Sequence, residues 1–269
     1  MALLPIKDYN DLKRISFQYV TVGLIAACVA VFLWQLSLGD QQGRAALQYG
    51  TIPAVLFGSR NLAPELYAIH PVLTLFTSVF LHGGWMHLIF NMLFLWVFGD
   101  NVEDSMGHLR FLIFFLVSGA IASFAHAIFE AGSASPLIGA SGAISAVLGA
   151  YLVLHPKARL LVLFMNIIPM RLPAVIVLVG WIALQFMSLN SGAESNTAWW
   201  AHIGGFGTGM VLIVLFKRRG VPLFDGVGRF KPADTEALES DERRHAKSIF
   251  PNTVGPIAGN GAPKKPWGE

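Results

Sequence analysis

The sequence is poor in charge and in cysteine. Only 13% of its 269 residues are Asp, Glu, Lys or Arg, against about 25% in an ordinary soluble domain. Its one cysteine, Cys28, lies in an apolar run, which excludes a disulfide framework and a CxxC metal site. No Asp or Glu interrupts the long apolar runs, and 54% of the residues are hydrophobic. This composition excludes an ordinary soluble domain and predicts a polytopic membrane protein.

Six apolar segments approach the roughly 20 residues that a helix needs to cross a bilayer. They cover about 18–38, 83–99, 109–129, 139–155, 172–189 and 198–216. The predicted fold is therefore all-α, a six-helix transmembrane bundle with a long outer loop at about 39–82. Apolar stretches in that loop are too short to span and are expected at the interface or against the bundle. We expect three regions: a short cytoplasmic segment (1–17), the membrane domain (18–217) and a polar, largely disordered cytoplasmic tail (218–269).

The basic residues predict the orientation of the bundle. With the N-terminus in the cytoplasm, the inner segments carry ten Lys or Arg residues up to Arg219, and the outer loops carry two, Arg44 and Arg60. Positive residues concentrate on the cytoplasmic side of membrane proteins. Both termini are therefore expected in the cytoplasm. The basic pI near 9.1 is explained by these topology signals, and no nucleic-acid partner is expected.

Ser141 and His202 are the candidate catalytic pair. In this topology the fourth and sixth segments both enter from the outer face, and each residue lies about one turn inside its segment. Small residues beside both allow close helix approach, at which an imidazole nitrogen could activate the serine hydroxyl as a general base. For the small residues alone, plain helix packing is the favoured interpretation. A histidine inside an apolar span, however, is a functional candidate by default.

His87 and Asn91 form a second polar cluster. They are four residues apart, so they share a helix face, and both can donate hydrogen bonds to a developing oxyanion. A polar clamp between helices explains the spacing equally well, and His82 is expected to be structural. No carboxylate interrupts the spans, so the sequence predicts a Ser–His dyad. Helical HExxH spacing is missing, and we expect neither a metal nor a cofactor.

The chain resembles the rhomboid intramembrane serine proteases over about 18–217. Three motifs carry this resemblance: "HGGWMHLIFN" at 82–91, "GASGA" at 139–143 and "AHIGGFGTG" at 201–209. The resemblance implies that Ser141 is the nucleophile and His202 the base. It also implies that the oxyanion hole consists of His87, Asn91 and the Ser141 backbone N–H, with Gly139 and Phe90 near the substrate entrance.

Two features depart from the family pattern. The Trp-Arg pair that many members carry in the first outer loop is missing. Some members have an aromatic residue four positions after the nucleophile, stacked on the histidine, whereas this chain has Ser145. What orients His202 is therefore open at this point.

The sequence predicts an endopeptidase that cleaves transmembrane segments of membrane proteins near their outer end, in contact with the lipid bilayer. The fourth segment, 139–155, would span only about 25 Å, so Ser141 is expected under a cavity open to the outside. A bacterial plasma membrane is the expected location, with an organelle membrane as the alternative. The alternative functions are a catalytically inactive rhomboid-like protein that binds transmembrane clients and a small transporter.

Overall fold

The computed structural model describes residues 3–165, 167–190 and 198–225, and this part of the chain is mostly helical. The helices are α1 (Tyr19–Ser37), α2 (Gln42–Tyr49), α3 (Pro53–Leu56), α4 (Thr74–Thr77), α5 (Trp85–Met106), α6 (His108–Phe129), α7 (Ser141–Leu154), α8 (Ala174–Asn190) and α9 (Trp199–Phe216). The strands are β1 (Leu3–Asp8), β2 (Arg159–Phe164) and β3 (Ile168–Pro173).

Helices α1, α5, α6, α7, α8 and α9 occupy the six apolar segments of the sequence. Their ends agree with the predicted ones to within two residues, apart from the C-terminal end of α5. In the described part of the chain, three helices (α1, α6 and α9) are long and apolar enough to cross a membrane alone. A fourth span is possible if Pro64–Phe80 and Trp85–Met106, bent by 80°, act together. The shorter α7 and α8 are apolar, and six crossings stay a prediction.

A three-stranded antiparallel sheet, in the order β1-β2-β3, was not predicted from the sequence. Strands β2 and β3 form a hairpin between α7 and α8, and β1 comes from the start of the chain. Strand β2, RLLVLF, shows no alternation of polar and apolar residues, and β3, IPMRLP, contains two prolines, which argue against a strand. The pairing partner of β1 lies more than 150 residues away along the chain. Leu160 and Val162 are fully buried, which anchors the sheet to the helical core.

Helix α5 corrects the prediction that the second segment ends near residue 99. The helix runs to Met106 and includes Glu103 and Asp104, both buried. Their charges are matched by the start of the chain, because Asp104 accepts hydrogen bonds from the backbone N–H groups of Arg14 (2.6 Å) and Ile15 (2.7 Å). Glu103 accepts from the backbone N–H (2.8 Å) and hydroxyl (2.7 Å) of Thr21. Such bonds stabilise buried carboxylates.

The segment between α1 and α5 packs against the bundle, as expected of an apolar loop. Thr51 and Leu137 exchange backbone hydrogen bonds of 3.0 and 2.8 Å, and Ser78 accepts one of 2.9 Å from the Gly139 N–H. These contacts hold the residues just before α7. Helix α7 begins at Ser141, two residues later than predicted, and its 14 residues span about 21 Å.

Helices α7 and α9 are in very close contact through glycines. A Cβ atom added to Gly205 would overlap the carbonyl oxygen of Gly142, and one added to Gly209 would overlap that of Ala146. On the facing helix, a Cβ at Gly149 would overlap the Phe206 carbonyl oxygen. Glycine therefore sets the separation of these two helices. Of the predicted tail, residues 218–225 are described and 226–269 lie outside the described residues.

Candidate active site

Ser141 is the first residue of α7 and follows a turn that only glycine accommodates easily. Gly139 has a φ of +120°, a conformation that side chains strongly disfavour. Backbone hydrogen bonds hold this turn against the segment between α1 and α5. The Gly139 N–H donates to the Ser78 carbonyl oxygen, and Leu137 exchanges two bonds with Thr51. As a first-turn N–H, that of Ser141 has no carbonyl partner within its own helix, so it can serve an external acceptor.

His202 lies in the first turn of α9, against the start of α7. A Cβ atom at Gly142 would lie 3.7 Å from both the Cβ and the carbonyl oxygen of Ala201. The neighbours of Ser141 and His202 in the chain are therefore in contact. His87, near the start of α5, lies beside the turn before α7, since a Cβ atom at Gly139 would come close to its Nε2 atom. The structure thus brings the starts of α5, α7 and α9 to one place.

His87 and Asn91 lie beside the turn that precedes Ser141. A Cβ atom at Gly139 would lie 2.6 Å from His87 Nε2 and 3.7 Å from Asn91 Nδ2. The Gly83 N–H donates to His87 Nδ1 at 3.3 Å, so Nδ1 acts as an acceptor and the neutral ring carries its proton on Nε2. Asn91 Nδ2 is buried and has no hydrogen-bond partner in the described part of the chain. Two donor groups therefore border the Gly139 backbone.

Gln185 of α8, which the sequence analysis missed, contacts the ring of His202. Its Oε1 lies 2.8 Å from His202 Nδ1, and its Nε2 donates to the Trp181 carbonyl oxygen at 3.1 Å. Only 6% of Gln185 is exposed. An amide among the apolar residues of a predicted span was the signal available in the sequence, because a polar group there needs a partner.

Aromatic rings from two helices surround His202. The ring centroid of Trp181 lies 5.7 Å away at an interplanar angle of 37°, and that of Trp199 lies 6.1 Å away, edge-on at 87°. Ser145 has another role: its hydroxyl donates to the Ser141 carbonyl oxygen at 2.6 Å, a common bond of serine within a helix.

The two other motif residues occupy different surroundings. His82 is buried, and its Nδ1 lies 3.2 Å from the Phe80 carbonyl oxygen while its backbone N–H donates to Gln35 Oε1 at 2.9 Å. This environment matches a structural histidine. Phe90 is half-buried on α5, next to Asn91, and its place at the substrate entrance stays a prediction.

Comparison with known proteins identifies the family of the chain. A family model described as Rhomboid domain matches residues 70–219, more than half of the sequence. RHOMBOID-like protein 1 of Arabidopsis thaliana is 29% identical over 194 residues, which cover 72% of this chain and 47% of the relative. The mitochondrial presenilin-associated rhomboid-like protein of Homo sapiens is 31% identical over 162 residues, 59% of this chain and 38% of that protein. The chain thus spans less than half the length of these relatives. Together with its apolar helices, these matches establish that the chain is an integral membrane protein of the rhomboid family.

Proposed function

We propose that this chain is an intramembrane serine endopeptidase in which Ser141 is the nucleophile and His202 the general base. One observation carries the proposal: the positive-φ turn at Gly139 borders two hydrogen-bond donors, His87 Nε2 and Asn91 Nδ2, directly before Ser141. The close packing of α7 and α9 beside Ser141 and His202 supports the pairing. Family membership supports protease chemistry in general.

The proposed reaction follows serine-protease logic. His202 Nε2 takes the hydroxyl proton of Ser141, and Oγ attacks a peptide carbonyl to form a tetrahedral intermediate. His87 Nε2–H, Asn91 Nδ2–H and the Ser141 backbone N–H donate to the oxyanion. His202 then protonates the leaving amine, the peptide C–N bond breaks, and an acyl-enzyme remains. Water, deprotonated by His202, hydrolyses the ester and restores Ser141.

The proposed substrates are transmembrane segments of other membrane proteins. A peptide bond within a helix is shielded by its hydrogen bonds, so segments with Gly or other helix-weakening residues near the cleavage site are favoured. The Lys and Arg distribution supports an orientation with both termini in the cytoplasm and Ser141 towards the outside. The proposed location is a bacterial plasma membrane. An organelle membrane is the alternative, which the mitochondrial name of one relative supports.

A serine-directed fluorophosphonate probe tests the proposal. We expect the purified full chain to be labelled, and Ser141→Ala and His202→Ala each to abolish labelling and cleavage of a single-span substrate. Ser145→Ala is the matched control. Ser145 lies one turn further along the same helix, and its hydroxyl donates to a backbone carbonyl oxygen. Labelling that survives in folded Ser141→Ala contradicts the nucleophile assignment. A folded wild-type chain that binds transmembrane peptides without labelling or cleavage establishes the inactive, client-binding alternative.

A further inference from the structure

Gln185 has only one amide orientation that suits both of its contacts. The Trp181 carbonyl oxygen can only accept a hydrogen bond, so the group 3.1 Å from it must be the amide NH₂. The amide oxygen then faces His202 Nδ1 at 2.8 Å. Because an amide oxygen can only accept, Nδ1 must carry a proton. The neutral ring consequently has its lone pair on Nε2, the nitrogen that a base must present.

From these two hydrogen bonds we infer that Gln185 is a positioning residue that fixes the tautomer and ring orientation of His202. The inference rests on the proposed function and extends it. It places a third side chain, from α8, behind the Ser141–His202 pair, where other serine hydrolases use a carboxylate. An amide suits this depth in the membrane because it orients the ring without adding a buried charge.

Substitution of Gln185 separates this role from simple packing. Gln185→Met keeps the length of the side chain and removes the amide, so the rates of fluorophosphonate labelling and cleavage should fall about tenfold or more with little change in KM. A wrong histidine tautomer costs about 10⁴ in a serine protease. Gln185→Glu keeps an acceptor and should recover activity. Its carboxylate should also move the acidic limb of the pH–rate profile to higher pH. Leu184→Met, on the exposed neighbouring position, should behave as wild type.

A second measurement reports the tautomer without any activity. In protein labelled with ¹⁵N-histidine, the His202 signals are those that His202→Ala removes. Wild type should show a protonated Nδ1, and Gln185→Met a mixture of tautomers. Full activity and an unchanged tautomer in Gln185→Met would overturn the inference about Gln185. The protease proposal would still stand in that case, provided that Ser141→Ala is inactive. Failure of wild type to label contradicts the protease proposal, and the spectra still decide the Gln185 inference.

An independent observation concerns the face of the β2–β3 hairpin that packs on the helices. Part of this face is buried against the core, and part of it is exposed. Leu160 and Val162 on that face are fully buried. Met170 pairs directly with Val162, and Ile168 with Phe164, and directly paired residues share a face of a sheet. Yet Phe164, Ile168 and Met170 are 38%, 54% and 39% exposed. These three residues form an apolar overhang.

The opposite face of the sheet carries two cations, Lys7 and Arg171. Lys7, Leu161 and Arg171 are paired across the three strands. The ring of Tyr9 has Lys7 Nζ 5.5 Å and the Arg171 guanidinium carbon 5.0 Å from its centroid. Leu161 and Leu163 lie on this face as well, so both faces carry apolar side chains and the two cations lie on the face away from the bundle.

We propose that the apolar overhang rests on the phospholipid surface beside the bundle, with Lys7 and Arg171 at the level of the lipid phosphates. Two features of the chain favour lipid as the occupant. After β3, helix α8 continues with exposed apolar side chains at Val175, Ile176 and Val179, a surface suited to acyl chains. The cations also complement anionic headgroups, as in amphipathic elements at membrane interfaces. This proposal is independent of the catalytic one.

Fluorescence quenching tests the lipid contact. In a Cys28→Ala background, single cysteines replace Ile168 or Arg171, neighbours on opposite faces of β3, and carry an environment-sensitive fluorophore. In vesicles of phosphatidylcholine and phosphatidylglycerol, we expect the label at 168 to be quenched by 5-doxyl lipid and shielded from iodide. The label at 171 should respond mainly to iodide. Equal iodide quenching of both labels, with no doxyl quenching at 168, overturns the proposal and favours a protein partner.

Discussion

At the scale of single residues, the candidate site depends on which atoms donate and which accept. His87 presents Nε2–H towards Gly139 because Nδ1 already accepts from Gly83. Asn91 keeps a buried NH₂ group without a partner in the described part of the chain, which is costly unless an acceptor arrives. Both features suit a substrate oxyanion that is present only during the reaction.

Gly139→Ala should inactivate the protein. The new Cβ would lie 2.6 Å from His87 Nε2, and the φ of +120° would add backbone strain of about 1–3 kcal/mol. The His87 ring must move, so we expect the cleavage rate to fall about 10²-fold or more, the loss of one oxyanion donor. Gly132→Ala is the control, since its Cβ would meet nothing within 4 Å. Kinetics with one transmembrane substrate compare the two, and equal rates would contradict this role for Gly139.

The sequence allowed some of these residues to be predicted and hid others. The motifs at 82–91 and 139–143 pointed to His87 and Asn91, which lie beside Gly139 in the structure; their role in an oxyanion hole stays a prediction. Gln185 was missed because its contact with His202 depends on how α8 packs against α9, and no local spacing encodes that packing. The aromatic surroundings of His202, supplied by Trp181 and Trp199, depend partly on the same packing.

At the scale of elements, glycine residues set the separation of α7 and α9, because they have no Cβ atom at the contact. Gly205 and Gly209 bring the backbone of α9 against carbonyl groups of α7. Van der Waals packing of this kind drives helix association within membranes, where lipid is as apolar as the helices. The same packing holds the start of α7 against the start of α9, so stability and activity should be coupled here.

Gly209→Ala should lower both stability and activity. A Cβ at Gly209 would overlap the Ala146 carbonyl oxygen, whereas one at Gly207 would meet nothing within 4 Å. Gly207→Ala is therefore the matched control, and it should be neutral or stabilising by about 0.5–1 kcal/mol, the usual preference for Ala within a helix. Thermal unfolding in detergent measures the first effect and probe labelling the second. A Gly209→Ala protein with the Tm of the control would contradict the packing argument.

The sheet joins the N-terminal strand to the helical core through Asp8. Asp8 Oδ2 accepts from Asn101 Nδ2 at 2.6 Å and from the Tyr151 hydroxyl at 3.0 Å. Burial, and then the nearby Asp100 carboxylate, raise the pKa of Asp8 from 3.8 to about 7. The folded protein therefore holds this proton more tightly than the unfolded chain does.

The stability that Asp8 contributes should be full below about pH 4 and lost as the pH rises through about 7. Asp8→Asn keeps an oxygen acceptor and removes the charge, so its free energy of unfolding should fall less between pH 4 and 7 than that of wild type. Asp40→Asn, in an exposed position, should keep the wild-type slope. Denaturant unfolding in detergent at several pH values provides the measurement. An Asp8→Asn slope equal to that of wild type would show that Asp8 does not titrate with folding.

At the scale of the whole molecule, the short length of α7 determines how water could reach Ser141. Helix α7 spans about 21 Å, less than the roughly 30 Å hydrocarbon core of a bilayer. A polar turn at its start can therefore lie below the membrane surface beside α6, which is long and apolar enough to cross the membrane alone. Which surface it lies under follows from the orientation of the bundle, which the sequence predicts from its charges alone.

Cysteine accessibility measures this orientation directly. The charge distribution predicts that residues 39–82 lie outside and that the link between α7 and α8 lies inside. In the Cys28→Ala background, Asp40→Cys should react with a membrane-impermeant maleimide on intact bacterial cells, because position 40 is exposed in the outer segment. Lys157→Cys, exposed at the other end of the bundle, should react only after the membrane is opened. The reverse pattern would place Ser141 towards the cytoplasm, and the substrates would then be cleaved near their inner ends.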